Sequence, residues 1–346
     1  MSTAPNDRLP RLTPAVAETR LAVREALDEA ALPAQSLVLV ALSGGPDSFA
    51  LAAASVFEGE KAGLRVGAVI VDHGLQAESA EVAEKTATLA RNLGLDPVIV
   101  TRVEVTDHSD GPESAARSAR YTAFRNAARE TGAVRIFLGH TRDDQAEQVL
   151  LALARGSGSR SLAGIPPKRG LFVRPILGVS SQTTAQACED AGIDPWQDPH
   201  NEDPAYTRSR VRHRVIPVLE AELGPGIVDA LARTAELARE DSEAFDEMIS
   251  EIIEEIVEPA EAGIAVHSGA LFANPAALRN RIIRYVAKAE FGVQLTRQHT
   301  LEVAKLVTDY KGQGALHLPG IRVKREGAYI VMSAAPGAED HPGTIL

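Results

Sequence analysis

The sequence predicts an α/β protein in which a doubly wound, mainly parallel sheet is followed by a helical domain with a small C-terminal β element. Three observations carry this. Residues 37–51, LVLVALSGGPDSFAL, pass from a short Val/Leu-rich run through a glycine pair into helix-forming sequence. Up to about residue 138, short apolar runs alternate with single helix-length segments, and parallel strands need such crossovers. Beyond residue 227 the alternation stops: helical spacing gives way to β-like runs parted by Pro319, Gly320 and Gly327.

The elements follow in order. Thr13 before Pro14 reads as a cap and first helical residue, with Val16, Leu21, Ala22, Ala26 and Leu27 forming a stripe up to Ala30. Leu37 to Leu42 is apolar throughout, as a strand buried on both faces must be. Ser43, Gly44 and Gly45 stop it, and Pro46 opens a helix to about Glu58, because a missing N–H costs nothing in the first turn. Arg65 to Val71 is the second strand, ending at Asp72, His73 and Gly74. A helix over about 78–93 leads to a strand over 97–105, and another over about 113–131 leads to a strand over 134–138. An apolar helix, Ala146 to Ala154, comes next. Residues 227–258 read as one or two helices, with Phe245, Met248, Ile249, Ile252, Ile253 and Ile256 on the packing face. Helices near 275–290 and 296–310 precede the β runs 315–318, 321–324 and 328–332, and the Pro- and Gly-rich tail from Ala334 reads as mobile. The expected division is a catalytic domain over 1–215, a helical substrate-binding domain over 216–333 and a tail over 334–346.

Composition bounds the function. No run of eighteen apolar residues occurs and MSTAPNDRLPRL lacks an apolar signal core, which predicts a cytoplasmic protein with no membrane partner. The single cysteine, Cys188, excludes an internal disulfide and any CxxC pair, and reads as a small buried hydrophobe. A net charge of −11 argues against nonspecific coating of nucleic acid. The charge is uneven, however: residues 236–261 hold eleven acids against one arginine, and residues 279–326 hold ten Lys or Arg against four acids. Basic stretches such as the last can hold a polyanion locally or can be solvated surface.

The glycine turn has a chemical use. Gly44 and Gly45 let backbone N–H groups approach a phosphate at a helix end, where the dipole adds about 0.3–2 kcal/mol. A Walker loop has Lys before its Ser/Thr, whereas Asp47 stands here, and a carboxylate beside phosphates calls for Mg²⁺ between them. SGGPDS resembles the SGGxDS loop of the N-type (PP-loop) ATP pyrophosphatases, whose adenine nucleotide alpha hydrolase-like fold agrees with the predicted sheet. In GHTRDDQAEQVLLALARGSGSRSLAGI, residues 139–165, Asp143 and Asp144 each share a helix face with Glu147. That spacing suits a magnesium or base cluster and equally suits helix capping. Gly156 to Arg160 is a basic loop suited to phosphate.

GHxxDDQAE followed by RGSGxRSLAG resembles the tRNA(Ile)-lysidine synthetases in particular. Val71–Leu75 (VDHGL), the segment with Glu113, Arg117, Arg120 and Tyr121, Arg174–Leu177 (RPIL) and the region Trp196–Leu219 agree with it, so that the resemblance spans about residues 37–220. The chain departs at Ser209, where the family commonly has Asn, and at Ser181, where many members have Arg.

The resemblance implies that the C2 oxygen of the wobble cytidine in an isoleucine tRNA with a CAU anticodon takes AMP from ATP, after which free L-lysine displaces it. It implies that Ser43, Gly44, Gly45, Pro46, Asp47, Ser48, His73, Arg117 and Arg160 bind ATP, and that Asp47 and Asp144 hold Mg²⁺. Arg208, Arg212 and Arg214 would meet tRNA phosphate. Lysine's ε-amine is almost wholly protonated at pH 7, a handicap of roughly 4.6 kcal/mol, so a base is needed; His140 and Glu147 are the candidates, and Asp47, Asp144, Glu147 and His140 form the catalytic set. A homodimer is a candidate assembly. Two other enzymes share the loop: a tRNA-thiolating relative, which would commonly use a cysteine pair, and a small-molecule amide ligase, which would need no basic C-terminal module. A nonenzymatic nucleotide-binding module would leave Asp47, Asp144 and Glu147 without a shared task.

Overall fold

The computed structural model describes residues 12–72, 74, 79–103, 112–156, 158–196, 203–261 and 263–335, without the side chains of 112–114. His73, the far end of the expected 97–105 strand and the tail from residue 336 lie outside the described residues. Contacts divide the chain into two compact units between Arg239 and Glu240.

In the first unit, α1 (Pro14–Ala30) is capped by the Thr13 hydroxyl, which accepts from Val16 N. The chain then runs β1 (Leu37–Leu42), α2 (Pro46–Lys61), β2 (Arg65–Asp72), α3 (Ser79–Asn92), β3 (Val98–Arg102), α4 (Pro112–Thr131), β4 (Arg135–Leu138) and α5 (Arg142–Ala154). A short α6 (Ser159–Leu162), a two-residue hairpin of β5 (Lys168–Arg169) and β6 (Phe172–Val173), α7 (Ser181–Asp190) and α8 (Thr207–Arg210) follow. The sheet order is β3-β2-β1-β4-β6-β5, parallel except for β5, which bears out the predicted mainly parallel sheet. All six residues of β1 are buried, and the period of two divides them. Val38, Val40 and Leu42 join α1, α2 and α7 in one core, while Leu37, Leu39 and Ala41 pack with Phe124, Ile136 and Phe172 in another. That placement puts the carboxyl end of β1, and the turn beyond it, at the rim of the sheet.

After α8 one turn widens to π-geometry over Val211–Val215 before α9 (Ile216–Leu223). Pro217 explains it, because it has no N–H to offer the carbonyl four residues back; Ile216 N instead reaches Val211 O. The long helix α10 is a single helix, Ile227–Ile256. Its first part belongs to the first unit: Ala232 and Ala235 are buried, and Arg239 Nη2 donates to the carbonyls of Ala163 (3.1 Å) and Ile165 (3.2 Å). These ties are why the division falls further along the chain than the boundary expected after residue 215.

The second unit completes α10 and adds α11 (Ser268–Ala273), α12 (Ala276–Phe291) and α13 (Arg297–Thr308). Its antiparallel sheet, β7-β8-β11-β10-β9, contains the three expected runs as β9 (Leu316–Leu318), β10 (Ile321–Glu326) and β11 (Tyr329–Ala334). It also contains β7 (Val257–Ala260), whose first two residues fall within the expected helix to residue 258, and β8 (Gly263–His267), for which the sequence predicts no element. Ile249, Leu271, Ile282, Ile283, Leu306 and Ile321 are among its fully buried core residues. Among the described residues no helix is long and apolar enough to cross a membrane.

Candidate active site

The β1–α2 turn is built from both ends. Gly44 has φ +91°, and a Cβ there would lie 3.0 Å from Thr86 Oγ1, so a side chain would be strained as well as crowded. Ser48 is buried; its hydroxyl donates to Gly45 O (2.8 Å) and accepts from Ser43 N (3.3 Å), which folds the turn onto the first turn of α2. Gly45, the N-cap of α2, gives no side-chain cap, and the start of a sixteen-residue helix is thereby left for an anion. Trp196 N donates to Gly44 O at 3.0 Å from the other side. Gly139, just beyond β4, abuts the same turn: a Cβ on it would lie 3.2 Å from Asp47 C and Ser48 N. The two signature loops therefore meet.

Asp144 serves both readings of its spacing. Its Oδ2 accepts from Thr141 N (2.9 Å) and completes a capping box at the start of α5, while its Oδ1 accepts from Arg212 Nη2 at 3.2 Å. Glu147, with no exposed surface, accepts from Arg212 Nε through Oε1 at 2.5 Å, and Arg208 Nε lies 3.5 Å from its Oε2. Arg208 also donates to Gln148 Oε1 (3.1 Å). Asp143 is occupied structurally, its Oδ2 accepting from Ser181 N at 2.8 Å. Asp47 accepts from the Thr184 hydroxyl. The π-turn thus delivers Arg212 to two of the predicted catalytic carboxylates.

Electrostatics links these groups. Burial pushes Asp47 up to about 6; the Thr184 hydrogen bond opposes this and the charge of Asp144 adds to it. Burial also pushes Glu147 up to about 7, against the pull of Arg212. Against the cost of its own burial, Glu147 and Asp144 hold Arg212 above its ordinary value. His140 is driven down to about 4, chiefly by burial, with Arg174, Arg208 and Arg117 acting in the same direction and Asp144 opposing. Its Nδ1 is buried without a hydrogen bond.

Among the described residues no group of three or more His, Cys, Asp and Glu converges as a metal cluster. Asp47 and Asp144 are nonetheless two mutually repelling carboxylates beside a phosphate-ready turn. They fit a Mg²⁺ that draws its other ligands from phosphate oxygens and water.

The remaining expected residues lie as follows. Arg117 is exposed on α4, its guanidinium 5.1 Å above the Tyr121 ring, and Arg160 is exposed on α6. Arg214 is exposed, whereas Arg208 and Arg212 face carboxylates. His73, Ser157 and residues 197–202 lie outside the described residues. Sequence reasoning did not single out Thr184; it noted Ser181 only as a departure from the family pattern and Arg174 only within a basic stretch and the RPIL segment. Arg174 is buried, its Nη1 donating to Pro166 O (2.8 Å) and its Nη2 to Tyr121 OH (3.3 Å). It also lines a cleft of about 440 Å³ beside the other face of α5, with Arg142, Arg233, Arg239, Asp229 and Glu236. The buried Nε atoms of Arg174 and Arg239 make no hydrogen bond.

A sequence profile described as the PP-loop domain matches residues 18–219. The chain is 58% identical over 296 residues to the tRNA(Ile)-lysidine synthase of Leifsonia xyli subsp. xyli, covering 85% of this chain and 89% of that one. With the tRNA(Ile)-lysidine synthase of Thermobifida fusca it shares 50% over 325 residues, covering 93% and 98%. With that of Streptomyces coelicolor the identity is 47%, covering 92% and 98%. Among solved structures, the U34-tRNA thiolase NcsA from Methanococcus maripaludis superposes with a TM-score of 0.52 at 20% identity, over 65% of this chain and 80% of that one, a likeness of fold alone.

Proposed function

The chain belongs to the tRNA(Ile)-lysidine synthase family of PP-loop ATP pyrophosphatases, and from that premise we propose how its residues make lysidine. The protein is an ATP-dependent ligase that joins free L-lysine to C2 of the wobble cytidine of isoleucine tRNA with a CAU anticodon. The cytidine C2 oxygen attacks the α-phosphate and pyrophosphate leaves; the lysine ε-amine then displaces AMP from C2.

In our reading the backbone of Ser43, Gly44 and Gly45 receives the departing pyrophosphate, with Pro46 and Ser48 fixing the turn. Asp47 and Asp144 would hold Mg²⁺, which when bound neutralises phosphate charge. What supports this is the proximity of the groups: Gly139, at the end of β4, abuts the β1–α2 turn, the charge of Asp144 reaches Asp47, and Arg212 joins Asp144 to Glu147. Glu147 is the better base of the two candidates. It is buried, its Oε2 makes no hydrogen bond, and its raised affinity for a proton lies near neutral pH, whereas His140 holds a proton only below about 4. Arg208 and Arg212 then act on these carboxylates and the incoming phosphates, which leaves Arg214, exposed on the π-turn, for tRNA phosphate. Arg117 and Arg160 supply positive charge at the mouth, and His73 keeps its assignment to ATP.

Free lysine enters by the cleft beside α5. Glu236 suits its α-ammonium group and the arginines suit its carboxylate, while Asp229 is paired with Arg142 at 3.0 Å. Glu236→Gln should therefore raise KM for lysine severalfold with KM for ATP unchanged; an unaltered KM for lysine would sink this placement. The reading as a whole is tested by incubating the protein with ATP, Mg²⁺, labelled lysine and CAU-anticodon isoleucine tRNA. ATP-dependent label in the RNA is expected, and its absence while ATP still binds would refute the activity.

A further inference from the structure

The residues that fix Asp47 come from a segment to which the motifs assign no chemistry. α7 starts at Ser181, and its first turn presents one hydroxyl to α2 and one to the start of α5. Thr184, fully buried, donates from Oγ1 to Asp47 Oδ1. Ser181 Oγ lies 2.9 Å from Thr141 Oγ1, and Ser181 N donates to Asp143 Oδ2 at 2.8 Å. Thr141 N in turn donates to Asp144 Oδ2 at 2.9 Å. One helical turn therefore connects the Asp47 carboxylate, on α2, to the Asp144 carboxylate, on α5.

We propose that Thr184 is a positioning residue: it fixes the rotamer of Asp47 and, with Ser181, the separation of Asp47 from Asp144, and so sets the affinity for magnesium with ATP. The inference rests on assigning those two carboxylates to the cation. An untethered Asp side chain samples several staggered rotamers. A buried hydroxyl that commits one carboxylate oxygen also orients the other, and only a donor can do this. Outer partners of ligating carboxylates typically govern metal affinity or activity by about 10–100-fold. Ser181 is short enough for its backbone and hydroxyl to join α7 to Thr141 and Asp143 at once.

The experiment is a calorimetric titration of ATP into the full chain at a series of Mg²⁺ concentrations, with turnover followed in parallel. Thr184→Val, which keeps the shape and removes the O–H, should raise the Mg²⁺ needed for half-maximal ATP binding about tenfold or more. Its metal-free melting temperature should stay within a few degrees of wild type. Thr184→Ser should restore the wild-type Mg²⁺ dependence. Equal Mg²⁺ dependence in wild type and Thr184→Val overturns the proposal, as does failure of Thr184→Ser to rescue. If the Val variant does not fold, Thr184→Ala must show the same displacement, and equality there overturns it. A wild-type chain whose ATP binding ignores Mg²⁺ removes the carboxylate assignment and this inference with it, an outcome distinct from a change confined to the variants.

Discussion

In the unit that ends at Arg239 the interior holds Glu58, Asp72, Glu147 and Arg174 beside Ser48, Thr141, Gln145 and Thr184, whereas in the unit from Glu240 the buried polar side chains among the described residues are the uncharged Ser242, Ser268 and Thr300. Burying a charge is costly unless it is paired. A folded chain keeps such groups where their reactivity is needed, and the first unit pairs them closely: Glu147 with Arg212, and Glu58 with Arg24 at 2.9 Å. The second unit keeps its charge outside. The acids of α10 and the lysines and arginines of α12, α13 and β10 surround a core of Ile, Leu and Val. Buried charge is concentrated in one unit, and the other has an apolar core with a charged exterior.

The largest effect that could break this contrast is expected at Asp47. Asp47→Ala should reduce lysidine formation by roughly a thousandfold or more and leave the melting temperature within a few degrees. Retained turnover would place the chemistry elsewhere. Next comes the apolar core: Ile321→Ala should destabilise the second unit by about 2–5 kcal/mol, seen as an earlier calorimetric transition, while ATP binding persists. Loss of ATP binding in a folded Ile321→Ala protein would contradict the division of labour.

The smallest effect concerns pH. The folded state binds the Glu147 proton more tightly than the unfolded chain does, so stability from this group is fully present below about 4.5 and is lost as pH rises towards about 7. Metal-free wild type should therefore lose about 1–3 kcal/mol relative to Glu147→Gln between pH 4.5 and 7. Parallel melting curves for the two proteins across that range would show that the pull of Arg212 fully offsets the effect of burial on Glu147.

Much of the first unit was legible in the sequence because its signals are local. A six-residue apolar run stopped by two glycines could be little else than a buried strand and turn, and β1 occupies Leu37–Leu42 as read. The DDxxE spacing gave a helix start and a carboxylate face, and α5 supplies both. What escaped depends on distance along the chain. Arg208 and Arg212 read as contacts for tRNA phosphate because nothing nearby in sequence announces Glu147 as their partner, and Thr184 gave no signal because its partner, Asp47, stands far back in the chain. β7 was hidden by Glu258 and Pro259, residues poor in strands, and it forms because β8 pairs with it. The hairpin of β5 and β6 is two residues long on each side, too short for any period to show.

One feature of the turn gives the protein an optical handle. Trp196 is the chain's single tryptophan and is hydrogen-bonded through its backbone to Gly44. Intrinsic fluorescence excited at the indole band therefore comes from one fluorophore seated against the nucleotide loop. Occupancy of that loop can be followed in real time without a dye, and stopped-flow traces of the emission would time nucleotide arrival separately from the later amine step.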